Sequence, residues 1–237
     1  MKFRSFRHLV DFRELARSEE AEWSDSLSVN PEFFSYFRLP NTLFLNHRLI
    51  YGCMKRFLSR DKENSILDVG CGGGDLLQYL AAHLAKDGYQ FSLTGVDVNA
   101  AAVSVAQAQT QHWRNVRVIW GQAEEFGGYY DTAILSQVLH HLSPPNAMSM
   151  LKSVYARVSR GIVISDFVRS RVAYWLVKAA VYATTTDETH RHDGPLSVMR
   201  SYTDGEIDQL MKGAGIDTFS IRTIYPRKFI VVTRFQH

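Results

Sequence analysis

The segment Leu67-Asp68-Val69-Gly70-Cys71-Gly72-Gly73-Gly74-Asp75 constrains this chain more than any other. A short apolar run ends in clustered glycines, and a stretch with helical spacing, Asp75 to Leu84, follows at once. An unbroken apolar run is the pattern of a parallel strand buried on both faces. Glycines behind it let the chain turn sharply and let a ligand approach the backbone, while the helix start offers unpaired N–H groups. Two phosphate-binding versions of this turn are excluded. The dinucleotide fingerprint G-x-G-x-x-G needs glycine where Asp75 stands, and a carboxylate there would repel a pyrophosphate. The Gly-Lys-Ser/Thr ending of a P-loop is absent. A zwitterionic amino-acid group suits the loop better.

The same texture continues along the chain. Apolar or β-branched runs at Ser65–Val69, Ser92–Asp97, Val116–Trp120, Tyr130–Leu135 and Gly161–Ser165 alternate with helical patterns. That alternation predicts a parallel sheet with helices on both faces. Ser143-Pro144-Pro145 opens one helix, with serine as N-cap and proline in the first turn. Thr203-Asp204-Gly205-Glu206 has the capping-box pattern and opens another. Phe219–Ile224 and Lys228–Phe235 flank Tyr225-Pro226-Arg227 and read as an antiparallel hairpin at the sheet edge. The fold class is therefore α/β, a Rossmann-like, mostly parallel seven-stranded sheet with a C-terminal antiparallel hairpin. Residues 1–64 lack strand patterns and read as two or three helices forming a cap, and 65–237 as the main domain. Phe33, Phe34, Phe37, Leu39, Leu43, Phe44 and Leu45 crowd that cap. Arg169 to Met199 interrupts the alternation and reads as an inserted lid over the site.

Composition narrows the function classes. The 237 residues are 46% hydrophobic and 22% charged, which is globular and not disordered. A net charge of +3 is too weak to argue for a nucleic-acid partner. Cys53 and Cys71 make neither a disulfide framework nor a CxxC pair. Val172 to Ala183, broken by Lys178, is too short to span a bilayer, and the charged N-terminal stretch lacks a signal-peptide core. A soluble, cytoplasmic protein is expected. The N-terminal helices leave room for a homodimer.

Leu67-Asp68-Val69-Gly70-Cys71-Gly72 resembles the first motif of class I S-adenosylmethionine-dependent methyltransferases of the small-molecule type. Gly95-Val96-Asp97-Val98-Asn99 resembles their second motif, whose acidic residue binds the two ribose hydroxyls. A carboxylate accepts two hydrogen bonds naturally. Gly121-Gln122-Ala123-Glu124 resembles the adenine-contacting motif, with Gln122 where the family often has aspartate. Ser136-Gln137-Val138-Leu139-His140-His141-Leu142 resembles the fourth motif. The resemblance runs from about Ser65 to the C-terminus. It implies S-adenosyl-L-methionine as cofactor, with Asp68, Gly70, Gly72, Asp97, Val98, Gln122, Ala123 and Ser136 around it, and a small-molecule acceptor.

The acceptor chemistry needs a nucleophile in line with the sulfonium methyl and a base for its proton. For a phenol, with pKa of about 10, histidine suffices. His140 and His141 are the candidates, His140 ahead, with one facing the acceptor and the other capping or packing. Asp166, at the end of the fifth strand, is placed to orient a histidine or bind the acceptor. His190-Arg191-His192-Asp193 offers metal-ligand types, but His-x-His in a polar segment usually faces solvent, and no metal is expected. Tyr174, Trp175 and Tyr182, at helical spacing, are candidates for an aromatic acceptor wall or a packed helix face. Ser143-Pro144-Pro145-Asn146 lacks the final aromatic of base methyltransferases, which argues against a nucleic-acid base. The expected reaction is O-methylation of a phenol or quinol-type metabolite. Alternatives are C-methylation of a quinone precursor and a non-catalytic protein that binds S-adenosylmethionine.

Overall fold

The computed structural model describes residues 14–25, 45–122 and 127–234. Its strands are β1 (Asn64–Val69), β2 (Phe91–Asp97), β3 (Val116–Trp120), β4 (Tyr130–Ser136), β5 (Val158–Phe167), β6 (Phe219–Ile224) and β7 (Arg227–Thr233). They form one sheet in the order β3-β2-β1-β4-β5-β7-β6. All neighbours are parallel except β7, which runs antiparallel to both β5 and β6. The helices are α1 (Asn46–Met54), α2 (Asp75–Lys86), α3 (Ala100–Thr110), α4 (Pro144–Arg157), α5 (Arg171–Thr184), α6 (Glu188–Arg200) and α7 (Asp204–Gly213). None of the described helices is long and apolar enough to cross a membrane.

Strand residues alternate between two cores, as the pleat dictates. Leu67, Val69, Leu135, Ile162 and Ile164 point to a core completed by α4 and α7. Ile66, Ile134 and Val163 point to the other, completed by α1, α2 and α3. The strand order reverses between β1 and β4, so a crevice opens at their carboxyl ends, where open α/β sheets bind ligands.

Three features depart most from the sequence pattern. β5 is longer than its apolar run because its polar ends find partners inside the fold. At its start Arg160 donates to the carbonyl of Phe57 (2.6 Å) and to Asn64 Oδ1 (3.0 Å), and pairs with Asp131 (3.1 Å). The second hairpin strand stops at Thr233, and Phe235 lies outside the described residues. The interruption after β5 is a pair of packed helices, α5 and α6, around Phe167, Ala173, Val177, Val181 and Val198. Of residues 1–64, the description covers α1, short 3-10 turns at Trp23–Asp25 and Lys55–Phe57, and an irregular strap over 14–25. Phe33, Phe34, Phe37, Leu39, Leu43 and Phe44 lie outside it.

Candidate active site

β1 runs into a loop whose glycines take up left-handed backbone, with φ of 67° at Gly70, 53° at Gly72 and 83° at Gly74. A Cβ on Gly70 would come within 2.5 Å of Val138 Cγ2, and one on Gly74 within 2.9 Å of Ala106 Cβ. The loop is thus held between the segment after β4 and helix α3, with its backbone against the crevice. Gly70 and Cys71 donate to the Val96 carbonyl (2.8 and 3.1 Å), and Gly72 donates to Asp97 Oδ2 (2.8 Å). These bonds tie the loop after β1 to the end of β2, where Asp97 Oδ1 also accepts the Asn99 N–H (2.9 Å). Burial raises the Asp97 pKa despite these bonds from Asn99 and Gly72. Asp68 is fully buried on β1, and neither carboxylate oxygen has a hydrogen-bond partner among the described residues. Burial, with Asp75 and Asp97 nearby, holds its pKa well above the ordinary value. A cationic ligand group above this loop would answer that charge, which is what the sulfonium and ammonium of S-adenosylmethionine carry.

Around the crevice, Val98 is 60% exposed, and Trp120 Nε1 donates to its carbonyl (2.9 Å). Gln122 is exposed just beyond β3, and Ala123 lies outside the described residues. Ser136 Oγ, at the end of β4, accepts from Asn46 Nδ2 (3.1 Å), while Ser165 Oγ donates to Asn46 Oδ1 (2.6 Å). Asn46, fully buried at the start of α1, therefore bridges the ends of β4 and β5. Its neighbour His47 lies 3.2 Å from Asp75 at the start of α2.

His140 and His141 follow β4 in a single 3-10 turn, Leu139–His141. His140 is buried, and its Nδ1 lies 2.7 Å from Asp166 Oδ1. Asp166 also accepts the backbone N–H groups of His140 (3.2 Å) and Phe167 (2.8 Å). Burial pushes the Asp166 carboxyl up, but the His140 charge and hydrogen bond outweigh it, and its pKa is lowered. The His141 side chain is 32% exposed, and its Nδ1 lies 2.7 Å from Asp25 Oδ1. Burial raises Asp25, while the hydrogen bond and charge of His141 and the charge of Arg200 bring it down to about 2.

The two rings do not diverge as adjacent positions were expected to. Their centroids are 4.2 Å apart, and both Nε2 atoms turn toward Glu22, at 3.5 Å for His140 and 3.9 Å for His141. The reason is the strap, which lays a carboxylate across the turn. Burial raises Glu22 to about 7; the charges of Asp193 and Asp25 add to this, and His141 and the Ser197 hydroxyl oppose it.

Glu22, Asp25 and Arg200 were not singled out from the sequence. Arg200 Nε and Nη2 donate to the carbonyls of His140 (3.1 Å) and His141 (2.9 Å), and Nη1 to Asp25 Oδ2 (2.9 Å). The His-x-His segment is also not solvent-facing as a unit. His190 is buried against Asp187, and His192 stacks on Trp23 at 4.0 Å. Asp193 accepts the N–H groups of Trp23 and Ser24 (2.9 Å each). This segment anchors the strap. The only local signal was an acidic run with one tryptophan, Glu19-Glu20-Ala21-Glu22-Trp23-Ser24-Asp25. Tyr174 packs partly on the α5–α6 core, whereas Trp175 and Tyr182 stand 61% and 52% exposed, with Lys178 over all three rings.

A family model described as a methyltransferase domain matches residues 67–163, the span from the glycine loop through β5. Over this span the chain is similar to methyltransferase domains, and its fold is shared with solved methyltransferases. The ubiquinone biosynthesis O-methyltransferase of Pseudomonas savastanoi pv. phaseolicola is 31% identical over 137 residues, 54% of this chain and 55% of that protein. That of Yersinia pestis is 28% identical over 222 residues, covering 88% and 83%. The chain spans about half the length of several of the curated relatives it matches. A SAM dependent methyltransferase from Aquifex aeolicus has the same fold, with a TM-score of 0.61 at 18% identity, over 86% of this chain and 98% of that one. In this chain the loop, Asp68 and Asp97 border one side of the crevice, and the histidine turn borders the other.

Proposed function

We propose that the chain transfers a methyl group from S-adenosylmethionine to a hydroxyl oxygen of a small phenol or quinol-type metabolite. The observation that carries this reading is the histidine turn after β4. Each Nδ1 there is engaged by a carboxylate, Asp166 or Asp25, which leaves both Nε2 lone pairs to act on an acceptor hydroxyl. The names of the curated relatives favour oxygen as the attacked atom.

S-adenosylmethionine supplies an electrophilic methyl on its sulfonium. The chain's own residues do the rest. Asp68 offsets the positive charge of the donor's methionine part, Gly70 and Gly72 let it approach the backbone, and Asp97 accepts from the ribose hydroxyls. Gln122 and Ala123 flank the adenine. The histidine pair activates the hydroxyl, with Asp166 as a positioning residue for His140. The strap and α6 exclude water and hold the acceptor in line, which supplies much of the acceleration.

The test uses S-adenosylmethionine labelled in its methyl group, with the purified protein and a panel of catechols, hydroquinones and monophenols. Enzyme-dependent label in an organic-extractable product is expected. His140→Ala and His141→Ala should each lower transfer about 10²-fold or more while leaving donor affinity within a few-fold. Label found in RNA or protein, or transfer unchanged in both variants, would overturn the reading.

A further inference from the structure

Glu22, His140 and His141 come from a strap and a turn far apart in sequence, yet one ligand atom from each lies within 4.8 Å of the others. Their spacing decides what they do together. At 3.5 Å from His140 Nε2 to Glu22 Oε1 and 3.9 Å from His141 Nε2 to Oε2, the histidine–carboxylate distances are too long for good hydrogen bonds. They are close to the spacing of neighbouring ligands around one ion, about 3.3 Å for a tetrahedral zinc with bonds of about 2.0–2.1 Å. Every candidate ligand also has its outer partner in place. Asp166 and Asp25 each hold one histidine Nδ1 at 2.7 Å, the carboxylate–histidine arrangement that turns Nε2 toward a metal. Ser197 Oγ donates to Glu22 Oε1 (3.0 Å), which fixes the carboxylate. The pocket is rich in negative charge. Glu22, Asp25, Asp166 and Asp193 surround it, with Arg200 as the guanidinium that reaches in.

The geometry points to a divalent-cation site made of Glu22, His140 and His141, suited to an ion of the zinc, cobalt or ferrous class. Two imidazoles and one carboxylate are the donor set such ions take when a position is left open. His141 is partly exposed, so an ion held here can be reached from outside the buried pocket. A cation there would acidify an acceptor hydroxyl, so the histidine pair would activate the nucleophile through the ion. That role rests on the methyl-transfer reading; the binding itself does not.

The experiment titrates the full chain, stripped with a chelator, with Co²⁺ alone and then Zn²⁺ alone, without donor or acceptor. One equivalent of Co²⁺ is expected, with the intense visible absorption of a low-coordinate site, displaced by Zn²⁺. Glu22→Gln and His141→Ala should each weaken binding about 10-fold or more. His112→Ala, at an exposed histidine elsewhere, should not change it. Thermal melts of the stripped variants check that each is folded. Absence of saturable binding, or binding unchanged in folded Glu22→Gln and His141→Ala, overturns the proposal. A protein that binds the ion at these residues but moves no methyl keeps the site and sinks the transfer reading. Full-rate transfer by stripped protein that takes up no ion sinks the site and keeps the transfer reading.

Discussion

Asp68 sits on β1 with both carboxylate oxygens buried and without hydrogen-bond partners among the described residues. Such a group costs stability until a ligand of opposite charge arrives. Its folded pKa is raised by burial and by Asp75 and Asp97. The folded state then holds the proton more tightly than the unfolded chain, whose aspartate titrates near about 3.9. Stability therefore falls as pH rises from that value toward the folded pKa, and the penalty is complete above it. Asp68→Asn should raise the melting temperature at pH 8 by several degrees, on the order of 1–3 kcal/mol. The gain should shrink as the pH approaches 4. The same substitution should weaken S-adenosylmethionine binding about 10-fold or more by calorimetry. Loss of stability at pH 8 would show that the carboxylate is paired in solution. The position of Asp68, Gly70, Gly72 and Asp97 was readable because strand, turn and helix start follow one another within a few residues. The absence of a partner for Asp68 was not readable, since it depends on what β2 and the loop bring alongside.

Among the elements, β5 and α7 carry opposite lessons. The capping box of α7 is entirely local: Thr203 Oγ1 accepts the Glu206 N–H (3.3 Å), and Glu206 Oε2 accepts the Thr203 N–H (2.7 Å). Thr203→Ala should cost about 1 kcal/mol, read as a fall of roughly 2–4 °C in melting temperature. In β5, Gly161 is needed for a reason no neighbour in sequence supplies. A Cβ there would strike the Val232 carbonyl on β7 and come within 2.5 Å of the Phe57 ring. Gly161→Ala should destabilise by about 1–3 kcal/mol through overpacking. Urea denaturation should show a lower midpoint with an unchanged slope. A neutral result would mean that both the Phe57 ring and the Val232 carbonyl give way freely. The full length of β5 escaped the apolar pattern for a related reason. Ser159 and Arg160 fall outside the apolar run, and only Asp131 and Asn64 beside them account for their place in the strand.

At the scale of the whole molecule, Arg200 joins three parts of the chain. It reaches the carbonyls of the histidine turn, the strap carbonyl of Glu20 (3.0 Å) and the carboxylate of Asp25, while Arg17 donates to its own carbonyl (2.8 Å). A lysine keeps the charge but not the planar fork that makes these contacts together. Arg200→Lys should free the strap and speed proteolytic cleavage within residues 14–25 about tenfold or more. Methyl transfer should fall in parallel, with donor affinity little changed, since Asp68 and Asp97 do not touch Arg200. Cleavage at the wild-type rate would show that Asp193 and the Trp23–His192 stack hold the strap without it.

Sequence by itself determined the α/β class, the strand positions, the terminal hairpin and the donor-side loop. Each rests on short-range facts: which residues are apolar, where glycine permits left-handed backbone, and which side chain caps a helix. Tertiary structure alone decided the other half of the site. There Glu22, Asp25, Asp193 and Arg200 gather around His141, the sequence candidate, with Glu22 and Arg200 178 positions apart in the chain. In a linear reading an acidic run such as Glu19–Asp25 is a solvated surface. It becomes part of a site only because α5 and α6 carry Asp193 and Arg200 back over the end of β4. The backbone pattern encodes which face a residue takes, and only packing brings charges from distant segments into one buried volume.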